Sequence, residues 1–170
     1  MQKSVLANTA QHLLQFGPQV MAKPLTIVPF AVKARILEKL LNLLMAEQIE
    51  DDELHFLQQR WVNIDIVDMK LSFDVSFDKH FVVRAPAKAE VTFSGRSKEL
   101  VLIAAGKEDP DTLFFQRQLA IEGDTELGLE VKNLLLSIEF DTMPRLAREG
   151  LTALASLLEQ LQRQADARWA

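Results

Sequence analysis

The chain contains no cysteine, which excludes disulfide bonds and thiolate-held metals outright and suits a reducing cytoplasm. No apolar run approaches the length a membrane span requires. The N-terminus carries Lys3 but neither an uninterrupted apolar core nor a small-residue cleavage site, so a secretory signal is not expected. Histidine is scarce: His12, His55 and His80 lie far apart, and none has a metal-ligand partner at i+2 or i+4 spacing. Glycine-rich phosphate loops are missing as well. Gly123 and Gly128 stand at a helix start with the spacing of neither a Walker loop nor a dinucleotide fingerprint. No serine occupies a strand–turn–helix elbow. The net charge of −5 argues against nucleic acid as the main partner. No catalytic residue, metal site or cofactor is therefore expected.

What the sequence does have is apolar patterning. Its 170 residues fit one domain, and 48% apolar against 25% charged residues is the balance of an ordinary soluble globular protein. Residues 4–16 read as a helix with Val5, Leu6, Thr9, Leu13 and Phe16 near one side, ended by Gly17-Pro18. Lys23-Pro24-Leu25 through Val28-Pro29 reads as extended, because a residue before proline is pushed out of the helical region. Pro29 then opens a strong helix to about residue 47, with Val32, Ile36, Leu37, Leu40, Leu41 and Leu44 on its apolar face. The four carboxylates of Glu50-Asp51-Asp52-Glu53 are consecutive and do not converge on one point, so they read as a solvated turn.

Strand patterns dominate residues 61–94. Val62, Ile64 and Ile66 alternate with polar neighbours. After a turn at Val67-Asp68, Met69, Leu71, Phe73, Val75 and Phe77 alternate with Lys70, Ser72, Asp74 and Ser76. This predicts an antiparallel hairpin with one apolar face and one wet face. Phe81-Val82-Val83 and Glu90-Val91-Thr92-Phe93 supply two more strands, and Ser97 is placed to cap a short helix ended by Gly106.

The chain is organised around residues 109–136, DPDTLFFQRQLAIEGDTELGLEVKNLLL. Asp109-Pro110-Asp111 predicts a turn or short helix, and residues 118–122 a strand broken by Gly123. Asp124 or Thr125 caps the next helix, over 126–140, whose apolar stripe is Leu127, Val131, Leu134, Leu135 and Ile138. Thr142-Met143-Pro144 starts a last helix striped by Leu146, Gly150, Leu154, Leu157, Leu158 and Leu161. The expected fold class is α+β: about five antiparallel strands with one face covered by helices. The expected divisions are an N-terminal helix in 1–22, a central domain over 23–140 and a C-terminal helix in 141–170.

The string from Lys107 to Leu135, above all GDTELGLEVKNLL, resembles the lipid-binding domain of the sterol carrier protein type 2 family. The likeness is to a bacterial branch that serves oxygen-independent ubiquinone biosynthesis. Matching pieces extend it over roughly residues 23 to 140: Lys23-Pro24-Leu25 with Val28-Pro29, Asp52-Glu53-Leu54 with Phe56-Leu57 and Arg60, and Thr92-Phe93-Ser94-Gly95. Periodicity alone leaves two readings of the core, solid or hollow. The resemblance implies the second, a hydrophobic tunnel between a five-stranded sheet and its helices. It also implies a function: a non-catalytic accessory factor that binds a polyprenylated quinone precursor or a phospholipid beside the hydroxylase subunits UbiU and UbiV. Without cysteines for an iron–sulfur cluster, the chain would handle the substrate and leave its oxidation to those subunits.

The expected tunnel lining is Leu71, Phe73, Ile103, Phe114, Phe115, Val131, Leu134 and Leu135, which lie on the apolar faces of elements flanking the Gly123 hinge. The competing reading is an interaction scaffold with a filled core that docks enzymes or membrane. An acyl-transfer enzyme comes third. Arg60 and Arg117 border apolar sequence and read as ion-pair partners of carboxylates such as Glu122 or Asp124 ahead of ligand contacts. Residues 1–40 carry Lys3, Lys23, Lys33, Arg35 and Lys39 against Glu38 alone, on a chain otherwise acidic. That end is expected to touch an anionic membrane reversibly, which places a cytoplasmic protein at the inner-membrane surface. The alternative for the first helix is a homodimer contact.

Overall fold

A computed structural model describes residues 28–139, 141, 143–150 and 152–153. The helix expected over 4–16, the Lys23-Pro24-Leu25 segment and the stripe from Leu154 to Leu161 lie outside the described residues. Helix α1 spans Phe30–Leu44 and α2 Ala46–Glu50, followed by a short 3₁₀ turn at His55–Leu57. Strand β1 is Val62–Ile66, β2 Leu71–Asp78, β3 His80–Arg84 and β4 Val91–Gly95. Then come α3 (Ser97–Ala104), α4 (Pro110–Phe115), β5 (Leu119–Gly123) and α5 (Thr125–Leu136). Residues 145–150 are again helical.

The strands form one sheet in the order β3-β2-β1-β4-β5. Three of the four joins are antiparallel, but β1 and β4 run parallel, with Val62 opposite Val91 and Ile66 opposite Gly95. The sheet is therefore mixed, which corrects the expectation of antiparallel strands throughout. Alternation reports which face a side chain takes and says nothing of strand direction. The cause is the segment between Arg84 and Val91. Arg84 pairs with Asp74, which in turn pairs with Asn63, so β3 ends level with the start of β1. The chain then crosses β2 and β1 as a strap and begins β4 at that same level. Three strand spacings of ~4.8 Å make about 14 Å, within reach of the roughly 23 Å that seven extended residues span.

The strap also corrects the face expected to be wet. Phe73, Val75 and Phe77 of β2 are buried on the helix side, as the alternation predicts. On the other side Asp74 is only 1% exposed, and Ser76 and Asn63 are buried beside it. The Asp74 carboxylate accepts hydrogen bonds from Asn63 Nδ2 (2.8 Å), the Ala87 amide (2.9 Å) and Arg84 Nε (3.2 Å). The Arg84 guanidinium lies 3.6 Å from the Trp61 ring centre and donates to the Lys88 carbonyl at 3.2 Å. Ser76 Oγ donates to the Leu57 carbonyl. Each buried polar group here has a partner, which is the condition for burying it at all.

The strap ends at Glu90, whose amide donates to the Trp61 carbonyl at 2.9 Å and whose carbonyl accepts from the Asp124 amide at 2.8 Å. That closeness explains Gly123. Its φ is +118°, and a Cβ there would sit 2.4 Å from the Glu90 carbonyl oxygen. Asp124 then caps α5 through its side chain, accepting from the Leu127 amide at 2.7 Å, as the sequence suggests. Gly128 lets the helix close on the sheet: a Cβ would meet Ile121 at 3.3 Å and Val91 at 3.5 Å. Ser97 is not the cap expected for α3. It is the first helical residue, and Asp68 supplies the carboxylate, accepting from the Ser97 amide (2.8 Å) and hydroxyl (2.6 Å). A cap delivered from another element leaves no local sequence signal.

Helix α1 seals the β3 edge. The Phe81 amide donates to Asn42 Oδ1 at 3.1 Å and the Val83 amide to Glu38 Oε1 at 3.0 Å, so two outward N–H groups of an edge strand are occupied by side chains.

Two variants test this account. Asp74→Ala takes the acceptor from the buried side-chain amide of Asn63 and from the Ala87 backbone amide, and should cost about 3 kcal/mol in urea unfolding, with Asp74→Asn costing less. Gly123→Ala should cost more than about 1 kcal/mol by the same measurement, since both φ and the Glu90 carbonyl oppose a side chain.

Candidate functional site

Between the sheet and its helices lies one continuous apolar layer. Strand β2 contributes Leu71 and Phe73 because alternate residues of a strand share a face. Helix α3 contributes Ile103, and α5 contributes Val131 and Leu134, one turn apart on its buried side. All five are buried, and Leu135 packs half-buried against them. Six of the eight expected lining residues therefore meet in one cluster.

Phe114 and Phe115 do not join it. They are 43% and 80% exposed and stack edge to face with their ring centres 5.8 Å apart. The reason is the register of α4. Its buried residues are Pro110 and Leu113, three apart, and Asp111 on the next face is held by Lys132 of α5 at 2.7 Å. The two phenylalanines are left to turn outward. The side chains enclosed in their place, Phe93, Leu119 and Leu127, carry no mark in sequence beyond their period.

Arg60 pairs with two carboxylates. Its Nη2 lies 3.2 Å from Glu90 and 3.6 Å from Asp124, so it joins the strap's end to the cap of α5. The hydrogen bond to Glu90 raises its pKa above the ordinary arginine value, with the charges of Glu90 and Asp124 adding to the effect. The pairing with Asp124 is the one expected, and Glu90 stands where Glu122 was the other candidate. A separate depression of about 470 Å³, lined by Gln58, Gln59, Trp61, Asp78 and Val82 among others, shares none of the eight residues. Among the described residues no group of three or more His, Asp or Glu side chains gathers to hold a metal. No described helix is long and apolar enough to cross a membrane.

The outer face of α1 is of a different kind. Val32, Ile36 and Leu43 are exposed there, interleaved with the exposed cations Arg35 and Lys39. Glu38, the helix's one acid, is turned to the sheet by its bond to the Val83 amide. The outward face is thus apolar and positive.

Residues 37–136 match the SCP-2 sterol transfer family. The ubiquinone biosynthesis accessory factor UbiT of Escherichia coli (strain K12) is 42% identical over 156 residues, covering 91% of this chain and 90% of that protein. The UbiT proteins of two further Escherichia coli strains match to the same extent. A solved structure described as the UbiJ-SCP2 ubiquinone synthesis protein overlays with a TM-score of 0.55, covering 68% of this chain and 98% of that one. At 18% identity it is a likeness of fold alone. The mixed five-stranded sheet, the helices over its apolar face and the run of matched residues lead to one conclusion: the chain belongs to the SCP-2 sterol transfer family.

Proposed function

We propose that this protein is a non-catalytic lipid-binding accessory factor of oxygen-independent ubiquinone biosynthesis. It takes up a polyprenylated quinone precursor, or a phospholipid, in a tunnel within the layer between β2, α3 and α5, and presents it to the hydroxylase subunits UbiU and UbiV. The observation that carries this reading is the apolar cluster of Leu71, Phe73, Ile103, Val131, Leu134 and Leu135, in a chain 42% identical to a protein named as a ubiquinone biosynthesis accessory factor. The physical need is solubility. Each methylene taken from an apolar phase into water costs about 0.8 kcal/mol, so a polyprenyl tail does not leave a bilayer without a second apolar host. A scaffold with a filled core is the second reading, favoured by the exposed Phe114–Phe115 pair, which offers an aromatic docking point outside the layer.

Native mass spectrometry of the purified protein separates the two: co-purified lipid supports the carrier, and lipid-free protein supports the scaffold. Leu134→Glu, which sets a carboxylate in the layer, should abolish lipid retention, while Leu134→Ala keeps the layer apolar and retains lipid. A folded Leu134→Glu protein that still carries lipid would remove this helix face from the site.

The outer face of α1 is proposed to hold the protein reversibly at an anionic membrane during pick-up. Each cation contributes on the order of 1 kcal/mol near such a surface, so Arg35→Glu and Lys39→Glu should each weaken binding to anionic vesicles at least about fivefold. Co-sedimentation at low and high salt checks this. Equal binding to anionic and neutral vesicles, or binding indifferent to salt, would leave the face without that role.

A further inference from the structure

Among the described residues one buried side-chain polar atom lacks a hydrogen-bond partner: Oε2 of Glu99. Glu99 as a residue is half-buried, and only this oxygen is shut off from solvent; the fully buried polar side chains are all accounted for. Asp74, Asn63, Ser76 and Ser97 have the partners given above, and Gln48 donates to the Ser137 carbonyl at 3.3 Å. An enclosed, unsatisfied carboxylate oxygen is costly, and among the described residues this is the one such atom.

Its surroundings suggest a role. Glu99 lies in the first turn of α3. The cations on either side in sequence, Arg96 and Lys98, are exposed, and neither pairs with it. One turn on, at i+4 on the same side of the helix, is Ile103, which is 3% exposed and belongs to the apolar layer. The orphan oxygen therefore stands on the helix face that carries a lining residue. An ionised carboxylate accepts hydrogen bonds and donates none. It repels a carboxylate or phosphate head and lacks only a donor.

We propose that Glu99 is the polar anchor of the site, accepting a hydrogen bond from the O–H of a neutral ligand, an apolar chain ending in a phenol or an alcohol. This rests on the carrier reading and sharpens it. The layer takes the chain, which any apolar molecule satisfies, and Glu99 selects the head. Fatty acids and phosphate-headed lipids would enter, if at all, with the head elsewhere.

The test compares a long-chain alkylphenol with its methyl ether, which differ in the donor alone, by displacement of a polarity-sensitive fluorophore from the delipidated full-length protein. The wild type should bind the phenol about tenfold more tightly than the ether, the size of one satisfied buried acceptor. Glu99→Leu and Glu99→Met should bring the two within about twofold by weakening the phenol alone, with the ether unchanged or tighter. Glu99→Gln keeps an acceptor oxygen and should keep the preference. Two apolar variants guard against one that fails to fold, and a general loss of structure would weaken both ligands equally. Equal affinities in the wild type, or a preference that survives Glu99→Leu and Glu99→Met, would overturn the anchor and leave the carrier reading standing. A wild type that binds neither compound would overturn both.

Discussion

The architecture depends on a carboxylate that water does not reach. Asp74 sits in the middle of β2, enclosed on the face away from the helices, and draws three donors onto itself from β1, β3 and the strap. An isolated charge in that position would be ruinous. With Arg84, Asn63 and the Ala87 amide around it, the charge becomes a fixing point. What it fixes is the course of residues 85–90, and that course sets β4 parallel to β1. The parallel pairing of β4 with β1 thus follows from one polar cluster, with the apolar core filling the other side.

The two faces of the sheet are coupled through Glu90. Its backbone closes the strap on Trp61 and meets Asp124 at the entry to α5, while its carboxylate is held by Arg60. The helix that supplies Val131 and Leu134 to the apolar layer is positioned from the polar side. Gly123 is the residue that lets the backbone pass closely enough for this to work. For the carrier function proposed above such an arrangement is an advantage, because the elements around the apolar layer are fixed without help from a ligand's contacts.

Much of this was legible in the sequence, and the failures share a cause. The alternation of Leu71, Phe73, Val75 and Phe77, the cap at Asp124 and the break at Gly123 are local signals, and each appears where the sequence places it. Strand direction, the burial of Asp74 and the cap that Asp68 gives to Ser97 are made by residues distant in sequence, and no window of ten residues contains them. Phe114 and Phe115 show another limit. Size and apolarity argued for the interior, but Pro110 and Leu113 take the buried face of a helix too short to have two. The unpartnered oxygen of Glu99 had no signature at all, since an acid in the first turn of a helix is the ordinary case.

The parallel seam has a consequence in time. Pairings of β1 with β2 and of β2 with β3 join residues close in sequence, across the turns at Ile66–Leu71 and Asp78–His80, and such contacts close at small entropic cost. Val62 can meet Val91 only after the whole hairpin and strap have been laid down between them. Topology of this kind is expected to make the β1–β4 register the slow, late event of folding, with the meander formed first and the β4–β5–α5 half added to it. During synthesis the ribosome releases the meander before the half that covers it, so β1 waits with one edge open. The residues of that strand are Asn63 and Asp65 alternating with Val62, Ile64 and Ile66, and the two polar residues keep the waiting strand from reading as a continuous apolar ribbon.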